Sequence, residues 1–126
     1  RAQEFPRCHP DLNGKPYRYG YTVAVEGYRF PTIYKQDMQT GNATEFNVGQ
    51  GRHSAEPVFV PKEAAAAEDD GYLLTYVYDE QKNTSDLLIL DAQDMARPPI
   101  AEVHLPVRVP YGFHGNWVAD SEVAPG

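Results

Sequence analysis

Four histidines are the side chains of this sequence that could bind a transition metal: His9, His53, His104 and His114. Imidazole nitrogen is the usual nitrogen ligand of iron, zinc, copper and nickel in proteins. None of the intervals between them matches the His-x-x-x-His pattern that places two rings on one helix face. His9 and His53 lie in segments typical of loops, and His104 lies within an apolar strand pattern. For these three we predict a structural or surface role.

His114 stands in a different setting, Pro-Tyr-Gly-Phe-His-Gly-Asn-Trp at 110–117. Gly112 and Gly115 bracket it, and glycine permits a sharp bend or a close approach of the backbone to another group. Its bulky apolar neighbours predict a desolvated and rigidly oriented ring, as a metal ligand requires. A buried histidine bonded to a carbonyl group would show the same pattern, so the residues alone leave both interpretations open.

Two glutamates occur where a carboxylate could support such a histidine. Glu4 lies in Gln-Glu-Phe-Pro, and Glu56 directly precedes an apolar strand pattern. A carboxylate that accepts a hydrogen bond from an imidazole N–H fixes the tautomer and strengthens the other ring nitrogen as a ligand. The alternative interpretation is that each is a loop glutamate in water.

Other chemistries have little support in the sequence. Cys8 is adjacent to His9, and Ser54 is adjacent to His53, but neighbouring side chains of an extended chain point apart. The acidic run at 68–70 lacks the alternating spacing of a calcium-binding loop. Glycine-rich phosphate-binding motifs are absent from the sequence. Nucleophilic catalysis and nucleotide chemistry are therefore disfavoured.

The elements that must position these residues are strands. Alternating aromatic and β-branched residues predict strands at 17–25, 32–37, 43–48, 57–60, 72–79, 87–91, 101–105 and 114–118. The segment at 63–68 could form one short helical turn. A Tyr-rich strand followed by a polar turn recurs about 50 residues apart, at Asp37 and at Asp91. That period is typical of propeller blades, while a sandwich or a plain meander remains an alternative.

Composition narrows the class of protein further. The chain has 126 residues, 41% hydrophobic residues and a formal charge of −7, and shows no cluster of Lys or Arg. We therefore expect a folded chain without a nucleic-acid partner. Its single cysteine, Cys8, cannot form an intramolecular disulfide, which suits a reducing compartment and predicts a cytoplasmic location. The chain opens on Arg1 instead of Met, which suggests a fragment or a processed product.

Five blocks in order carry a family resemblance: Glu-Phe-Pro-Arg at 4–7, Ala-Glu-Pro-Val-Phe-Val-Pro at 55–61, Glu-Asp-Asp-Gly-Tyr-Leu at 68–73, Leu-Leu-Ile-Leu-Asp-Ala at 87–92 and Val-Pro-Tyr-Gly-Phe-His-Gly at 109–115. This series resembles the C-terminal portion of carotenoid cleavage oxygenases, which include lignostilbene dioxygenases and retinoid isomerases. The resemblance implies an all-β fold of antiparallel meander blades, part of a seven-bladed β-propeller. Residues 1–126 would form about two blades, with 119–126 as a loose tail.

The resemblance also implies a site. Members of the family hold Fe(2+) on the propeller axis with four histidines, behind which three glutamates bond the ligand rings. The Phe-His-Gly position carries the last ligand and corresponds to His114. The Glu-Phe-Pro and Glu-Pro-Val-Phe-Val positions correspond to the supporting carboxylates Glu4 and Glu56. The other three ligands would lie on blades that precede Arg1.

The implied activity is that of a dioxygenase. It would insert both atoms of O2 across a conjugated C=C bond of an apolar carotenoid, apocarotenoid or stilbene-like substrate and release two carbonyl products. Peripheral membrane contact of the full enzyme is a further expectation, and we expect the isolated segment to be inactive. Two alternatives stay open: an inactive propeller fragment or relative that acts as a binding module, and a free-standing small β-domain with its own metal.

Overall fold

The computed structural model describes residues 1–63 and 67–126, and within them the regular structure is nine β-strands in two antiparallel sheets. The strands are β1 (Gln3–Arg7), β2 (Tyr19–Ala24), β3 (Thr32–Asp37), β4 (Ala43–Asn47), β5 (Arg52–Ser54), β6 (Val58–Pro61), β7 (Gly71–Asp79), β8 (Thr84–Asp91) and β9 (Ala101–His104). Two short 3-10 helices, Pro10–Leu12 and Asp120–Glu122, complete it. In this described part, no helix has the length and apolar character needed to cross a membrane.

The first sheet is a meander in which each strand pairs with the next, in the order β1-β2-β3-β4. Its inner strands carry the buried residues, since Tyr21, Val23 and Ile33 are almost fully enclosed. The carboxylate of Asp37 accepts the backbone N–H of Gln39 and so closes the turn between β3 and β4. An Asp side chain that bonds its own backbone two residues on is a common turn device.

The second sheet contains an interruption that matters for the site. Its order is β5-β7-β8-β9, and β6 pairs with the same strand β7 as β5 does. Ser54 of β5 lies opposite Val77, whereas Val58 of β6 lies opposite Leu74. Between them stands Pro57, which has no N–H to donate to a ladder. Glu56 therefore sits in a gap between two strands that line one edge of β7.

The core lies where the two sheets meet. Alternate residues of β7 are buried, as one expects of a strand with one face toward the core. The buried apolar cluster draws on both sheets and comprises Tyr21, Val23, Ile33, Val48, Phe59, Leu73, Val77, Leu88, Leu90, Ala92 and Met95. At Gly71 the packing is closest, because an added Cβ would lie 2.4 Å from the carbonyl oxygen of Val60.

The acidic run at 68–70 ties the sheets together. The Glu68 carboxylate accepts the backbone N–H groups of Arg18 and Tyr19, at 2.8 and 2.9 Å. Asp69 accepts a hydrogen bond from Lys35 Nζ at 2.6 Å, and both side chains of this ion pair are largely buried. These two carboxylates thus have cationic or backbone partners from the first sheet.

The expected all-β antiparallel class is confirmed, with differences in detail. The strand predicted at 32–37 is present with those bounds, and the others predicted between 17 and 105 are present with shifted ends. Strands β1 and β5 were not predicted. The strand predicted at 114–118 is wrong, because the backbone N–H of Gly115 bonds a carboxylate instead of a neighbouring strand. The helical turn predicted at 63–68 falls partly on residues 64–66, outside the described residues.

Candidate metal centre

The site is built around Glu56, whose side chain is only 5% exposed. Arg7 Nε lies 2.5 Å from Oε1 of this carboxylate. The other oxygen, Oε2, accepts the backbone N–H of Gly115 at 2.9 Å and lies 3.3 Å from Nδ1 of His114. One carboxylate from the gap between β5 and β6 thus holds the end of β1 and the segment that contains His114.

These contacts set the charge state of the carboxylate. Burial by itself would raise the pKa of Glu56. The hydrogen bonds from Arg7, from the Gly115 N–H and from His114 outweigh that effect, and the pKa of Glu56 is lowered from its ordinary value. Glu56 is therefore an anion at neutral pH and can accept a hydrogen bond from Nδ1–H of the imidazole.

His114 is oriented by two groups of unlike character. Its ring stands edge-on to the ring of Phe5, with centroids 5.9 Å apart and planes at 89°. Its Nδ1 faces Glu56, so the tautomer with the proton on Nδ1 is favoured and Nε2 carries the free lone pair. Throughout residues 1–63 and 67–126, no hydrogen bond involves Nε2. The ring therefore fits the donor chemistry of a metal ligand. The prediction that it is desolvated is wrong for this chain, because 74% of the side-chain surface is exposed.

The second predicted carboxylate is placed differently. Glu4 lies on β1 opposite Val23 and is exposed. Across the part of the chain that the structure describes, its carboxylate makes no hydrogen bond or ion pair with His114 or with any other group. Glu56 and His114 are thus brought together, and Glu4 is not. The assignment of Glu4 as a supporting carboxylate stays a prediction.

The remaining histidines lie apart from this centre. His9 caps the 3-10 helix and packs against Phe59. His104 ends β9 and faces Asp86, with Nδ1 2.7 Å from Oδ1. His53 was predicted in a loop, which is wrong, because it lies buried in β5 where β7 pairs with it. In the described ranges, no group of three or more metal-binding side chains of His, Cys, Asp or Glu occurs.

The expected role of the glycines that bracket His114 is found only in part. The Gly115 backbone closely approaches Glu56 and Arg7, but neither glycine has a positive φ, and a Cβ added to either would meet no atom of the described residues within 4 Å. The irregular backbone near the site lies instead on β1, where Phe5 has φ of 55° and the pairing register shifts between Glu4 and Arg7. The backbone of Gly115 contributes an N–H and a carbonyl group, which any residue except proline could supply.

An apolar cleft of about 380 Å³ opens beside the centre. His114 and Glu56 are on its wall, and most of the rest is aromatic or aliphatic, including Phe5, Phe30, Leu74, Leu87, Tyr111 and Trp117. Such a wall suits an apolar ligand, which is held by contact area and not by charge. It also lowers the local dielectric around the carboxylate and so strengthens the contacts that orient His114.

Arg7 is the site residue that the sequence did not indicate. Its Nε donates to Glu56, and its Nη2 donates to the carbonyl oxygen of Gly115. It belongs to the Glu-Phe-Pro-Arg block, but an arginine in an exposed-looking block has no spacing that points to a partner at residue 56. Only the position of the block beside a predicted carboxylate could have drawn attention to it.

Comparison with known proteins gives one consistent result. The family model for RPE65, Retinal pigment epithelial membrane protein, matches residues 1–119. A carotenoid cleavage oxygenase of Mycobacterium tuberculosis is 46% identical over 125 residues, which cover 93% of this chain and 25% of that protein. The apocarotenoid-15,15'-oxygenase of Synechocystis is 40% identical over 121 residues, with the same two coverages.

A solved structure agrees in three dimensions. The cobalt-substituted apocarotenoid oxygenase of Synechocystis superposes with a TM-score of 0.88 at 39% identity, over 94% of this chain and 26% of that one. The fold expectation is confirmed by such neighbours, which are seven-bladed propeller enzymes. The cobalt substitution shows that this neighbour holds a metal ion.

Fold and comparisons together define the class of protein: an all-β chain of antiparallel sheets that matches propeller enzymes of the cleavage-oxygenase type. This chain belongs to the RPE65, Retinal pigment epithelial membrane protein, family, whose model covers most of it. The predicted resemblance to carotenoid and lignostilbene oxygenases is confirmed, and the relatives carry the names of enzymes. The chain spans about a quarter of the length of the curated relatives it matches.

Proposed function

We propose that this chain is the portion of a non-haem Fe(II) dioxygenase that supplies one iron ligand, Nε2 of His114. The observation that supports it most directly is the pairing of Nδ1 of His114 with the buried, anionic Glu56, which leaves the opposite nitrogen free. Neutral imidazole is a preferred ligand of iron, and a carboxylate behind it raises its basicity. Glu4 is proposed as a second supporting carboxylate within the whole protein.

The proposed reaction is oxidative cleavage of a conjugated C=C bond in an apocarotenoid or a stilbene-like compound. One double bond breaks, each of its carbons gains one oxygen atom from O2, and two carbonyl products leave. The iron would supply O2 binding and activation when it is bound. The residues of this chain would hold His114 in one tautomer and keep the cleft beside it apolar, so that water is excluded and the chain of conjugated bonds is accommodated.

Support for this substrate class comes from the cleft and from the relatives. The cleft beside His114 is lined mainly by apolar side chains. One relative is named an apocarotenoid oxygenase, and another, from Sphingomonas paucimobilis, is named a lignostilbene-alpha,beta-dioxygenase and is 35% identical over 135 residues.

A cytoplasmic location and peripheral membrane contact of the whole protein are proposed as well.

The test uses the whole protein of which these residues form a part. It would be purified under argon, analysed for iron, and incubated with an apocarotenal or a hydroxylated stilbene under isotopically labelled O2. We expect bound iron and one labelled oxygen atom in each of two carbonyl products. A whole protein that is free of iron, binds neither metal nor O2 and cleaves neither compound would instead be the inactive binding module.

A further inference from the structure

The guanidinium of Arg7 closes a ring of polar contacts around the proposed ligand. Nε donates to Oε1 of Glu56 at 2.5 Å, and a terminal nitrogen donates to the carbonyl oxygen of Gly115. The N–H of the same Gly115 donates to the other carboxylate oxygen at 2.9 Å. Arg7 therefore holds both the carboxylate that bonds His114 and the backbone that directly follows His114.

An irregularity in β1 directs Arg7 toward this centre. Glu4 pairs with Val23, but Arg7 pairs with Tyr21, so β1 carries one residue more than β2 between these two pairs. Such a bulge moves every later side chain to the other face of its strand. Because residues directly opposite each other point to the same side, Arg7 is turned toward the side on which Tyr21 is buried.

The bulge is held by packing as well as by pairing. Phe5 has φ of 55°, in the left-handed region that a bulky residue rarely occupies. Its ring lies edge-on to both Phe30, at 5.5 Å, and His114, at 5.9 Å. A strained backbone persists where the surroundings fix it, and such positions cluster at functional sites. The same local distortion thus presents an apolar ring and a cation to the His114 segment.

Arginine suits this position and lysine does not. A guanidinium is planar, stays charged and offers several donors in a fixed fork, whereas a lysine ammonium is a single point charge. The two acceptors belong to different segments, a buried carboxylate and a backbone carbonyl, and a fork can bond both at once. The Arg7 side chain is 28% exposed, so its contact with the buried Glu56 is only partly screened by water.

We infer that Arg7 is a positioning residue for the proposed iron ligand: through Glu56 and the Gly115 backbone it fixes the direction in which Nε2 of His114 points. The inference rests on the proposed function. It goes beyond it because, among the described residues, Arg7 makes its hydrogen bonds to Glu56 and to the Gly115 backbone and acts through these groups.

The test compares Arg7→Gln, Arg7→Lys and Arg18→Gln in the whole protein loaded with iron. Arg18 is the matched control, because it makes a two-contact pair with Asp37 at 3.0 and 2.7 Å in the same sheet, away from His114. The first readout is the rate at which a chelator removes iron. Loss of a group that orients a metal ligand typically changes metal affinity about 10- to 100-fold. We expect release about 10-fold faster or more for Arg7→Gln, an intermediate rate for Arg7→Lys and the wild-type rate for Arg18→Gln.

A second readout separates positioning from general support of the fold. Because Arg7 acts in part through Glu56, Arg7→Gln combined with Glu56→Gln should release iron more slowly than the product of the two single effects, since coupled residues are not additive. Effects that multiply in the double variant would overturn the inference. In cobalt-substituted protein, the visible spectrum of the metal should also shift with Arg7→Gln and not with Arg18→Gln.

The outcomes distinguish this inference from the proposed function. If His114→Ala leaves the iron content unchanged, the proposed function itself fails. If His114→Ala abolishes iron binding while Arg7→Gln releases iron at the wild-type rate, only the role of Arg7 is overturned. Should Arg7→Gln not fold, Arg7→Lys decides, and a wild-type release rate and spectrum in that variant would overturn the inference.

Discussion

Two histidines of this chain present the same nitrogen to a nearly buried carboxylate. Nδ1 of His114 lies 3.3 Å from Glu56, and Nδ1 of His104 lies 2.7 Å from Asp86. The ring of His104 is 82% exposed, comparable to that of His114, and the side chain of Asp86 is only 10% exposed. By these measures His104 would be the better supported ligand, yet only His114 lies in a block that resembles a metal-binding motif.

The surroundings of the two pairs explain the difference. The second oxygen of Asp86 meets Arg52 at 3.2 Å, and Arg52 also pairs with Glu102, so this histidine completes a charged network along β8 and β9. Glu56 instead holds the Gly115 backbone, and His114 lies against Phe5 at an apolar cleft. Both carboxylates pair with an arginine, so the His114 centre differs in that its carboxylate also holds the backbone beside the ring and lies on an apolar cleft.

The largest difference between the two histidine–carboxylate pairs is expected when each carboxylate is removed in the whole protein, as Glu56→Leu and Asp86→Leu. Each change leaves a partly exposed arginine without its carboxylate partner. The expected loss of folding stability is about 2 kcal/mol, less than the ~3–5 kcal/mol of a fully buried pair. Glu56→Leu should also weaken iron binding at least about 10-fold. Asp86→Leu should leave iron affinity unchanged. Thermal unfolding and iron titration of both variants would measure the two effects.

The hydrogen-exchange rate of one amide, that of Gly115, measures whether Glu56 holds the backbone beside His114. The Gly115 N–H is protected by its bond to Glu56, so Glu56→Leu should let it exchange about 10-fold faster or more, which corresponds to the ~1.5–3 kcal/mol of a hydrogen bond to a charged group. The amides of β9 should keep their rates in that variant. Unchanged exchange at Gly115 would mean that the carboxylate does not hold this segment.

In a third pair, His53 and Glu80, the histidine is the buried partner and the carboxylate the exposed one. It tests whether pairing with a carboxylate is enough to make a histidine a metal ligand. His53 is buried and Glu80 is more exposed, and Nε2 lies 2.6 Å from Oε1 in a contact too poorly aligned for a hydrogen bond. The interaction with His53 lowers the pKa of Glu80, and burial opposes that effect only in part. A carboxylate with a lowered pKa stabilises the fold above the ordinary value of 4.5, and the stabilisation is lost as pH falls through the lowered pKa.

We therefore expect His53→Phe to raise the pKa of Glu80 toward its ordinary value and to leave iron binding unchanged. The dependence of the thermal midpoint on pH below about 4.5 should become shallower in the variant. A parallel pH profile for the variant and the wild type would show that this pair contributes nothing. Loss of iron in His53→Phe would contradict its assignment as a structural residue.

The smallest effect is expected at the backbone that follows the proposed ligand. Gly115→Ala keeps the N–H and the carbonyl group, and its new Cβ meets no atom of the residues that the structure describes within 4 Å. Iron content and thermal midpoint should match those of the wild type within about 0.5 kcal/mol of stability. A large loss would restore the idea that glycine itself is needed beside His114.

The sequence predicted those elements whose pattern is local. Strand 32–37 follows from alternation, and a strand at 72–79 follows from a run of Tyr, Leu and Val that suits a pleated surface. β1 was missed because Pro6 and the bulge at Phe5 break its period, and β5 because Arg-His-Ser has no strand signal apart from its partner β7. In both cases the pairing is decided by a strand that is distant in sequence.

The site was predictable in part for the same reason. The resemblance of 109–115 and 55–61 to a known family singled out His114 and Glu56, which the fold then brings together across 58 positions. Spacing could not reveal that Arg7 joins them or that His104 forms a similar pair with Asp86. Nor could it show that Gly112 and Gly115 lie in open space, because the space around a residue depends on tertiary packing.

The most direct test of the central claim is the iron content of three forms of the whole protein: wild type, His114→Ala and His104→Ala. Both substitutions remove an exposed ring whose Nδ1 faces a buried carboxylate, so they are matched in size, exposure and pairing. We predict stoichiometric iron in the wild type and in His104→Ala, and none in His114→Ala. Full iron retention in His114→Ala, or its loss in His104→Ala alone, would contradict the account.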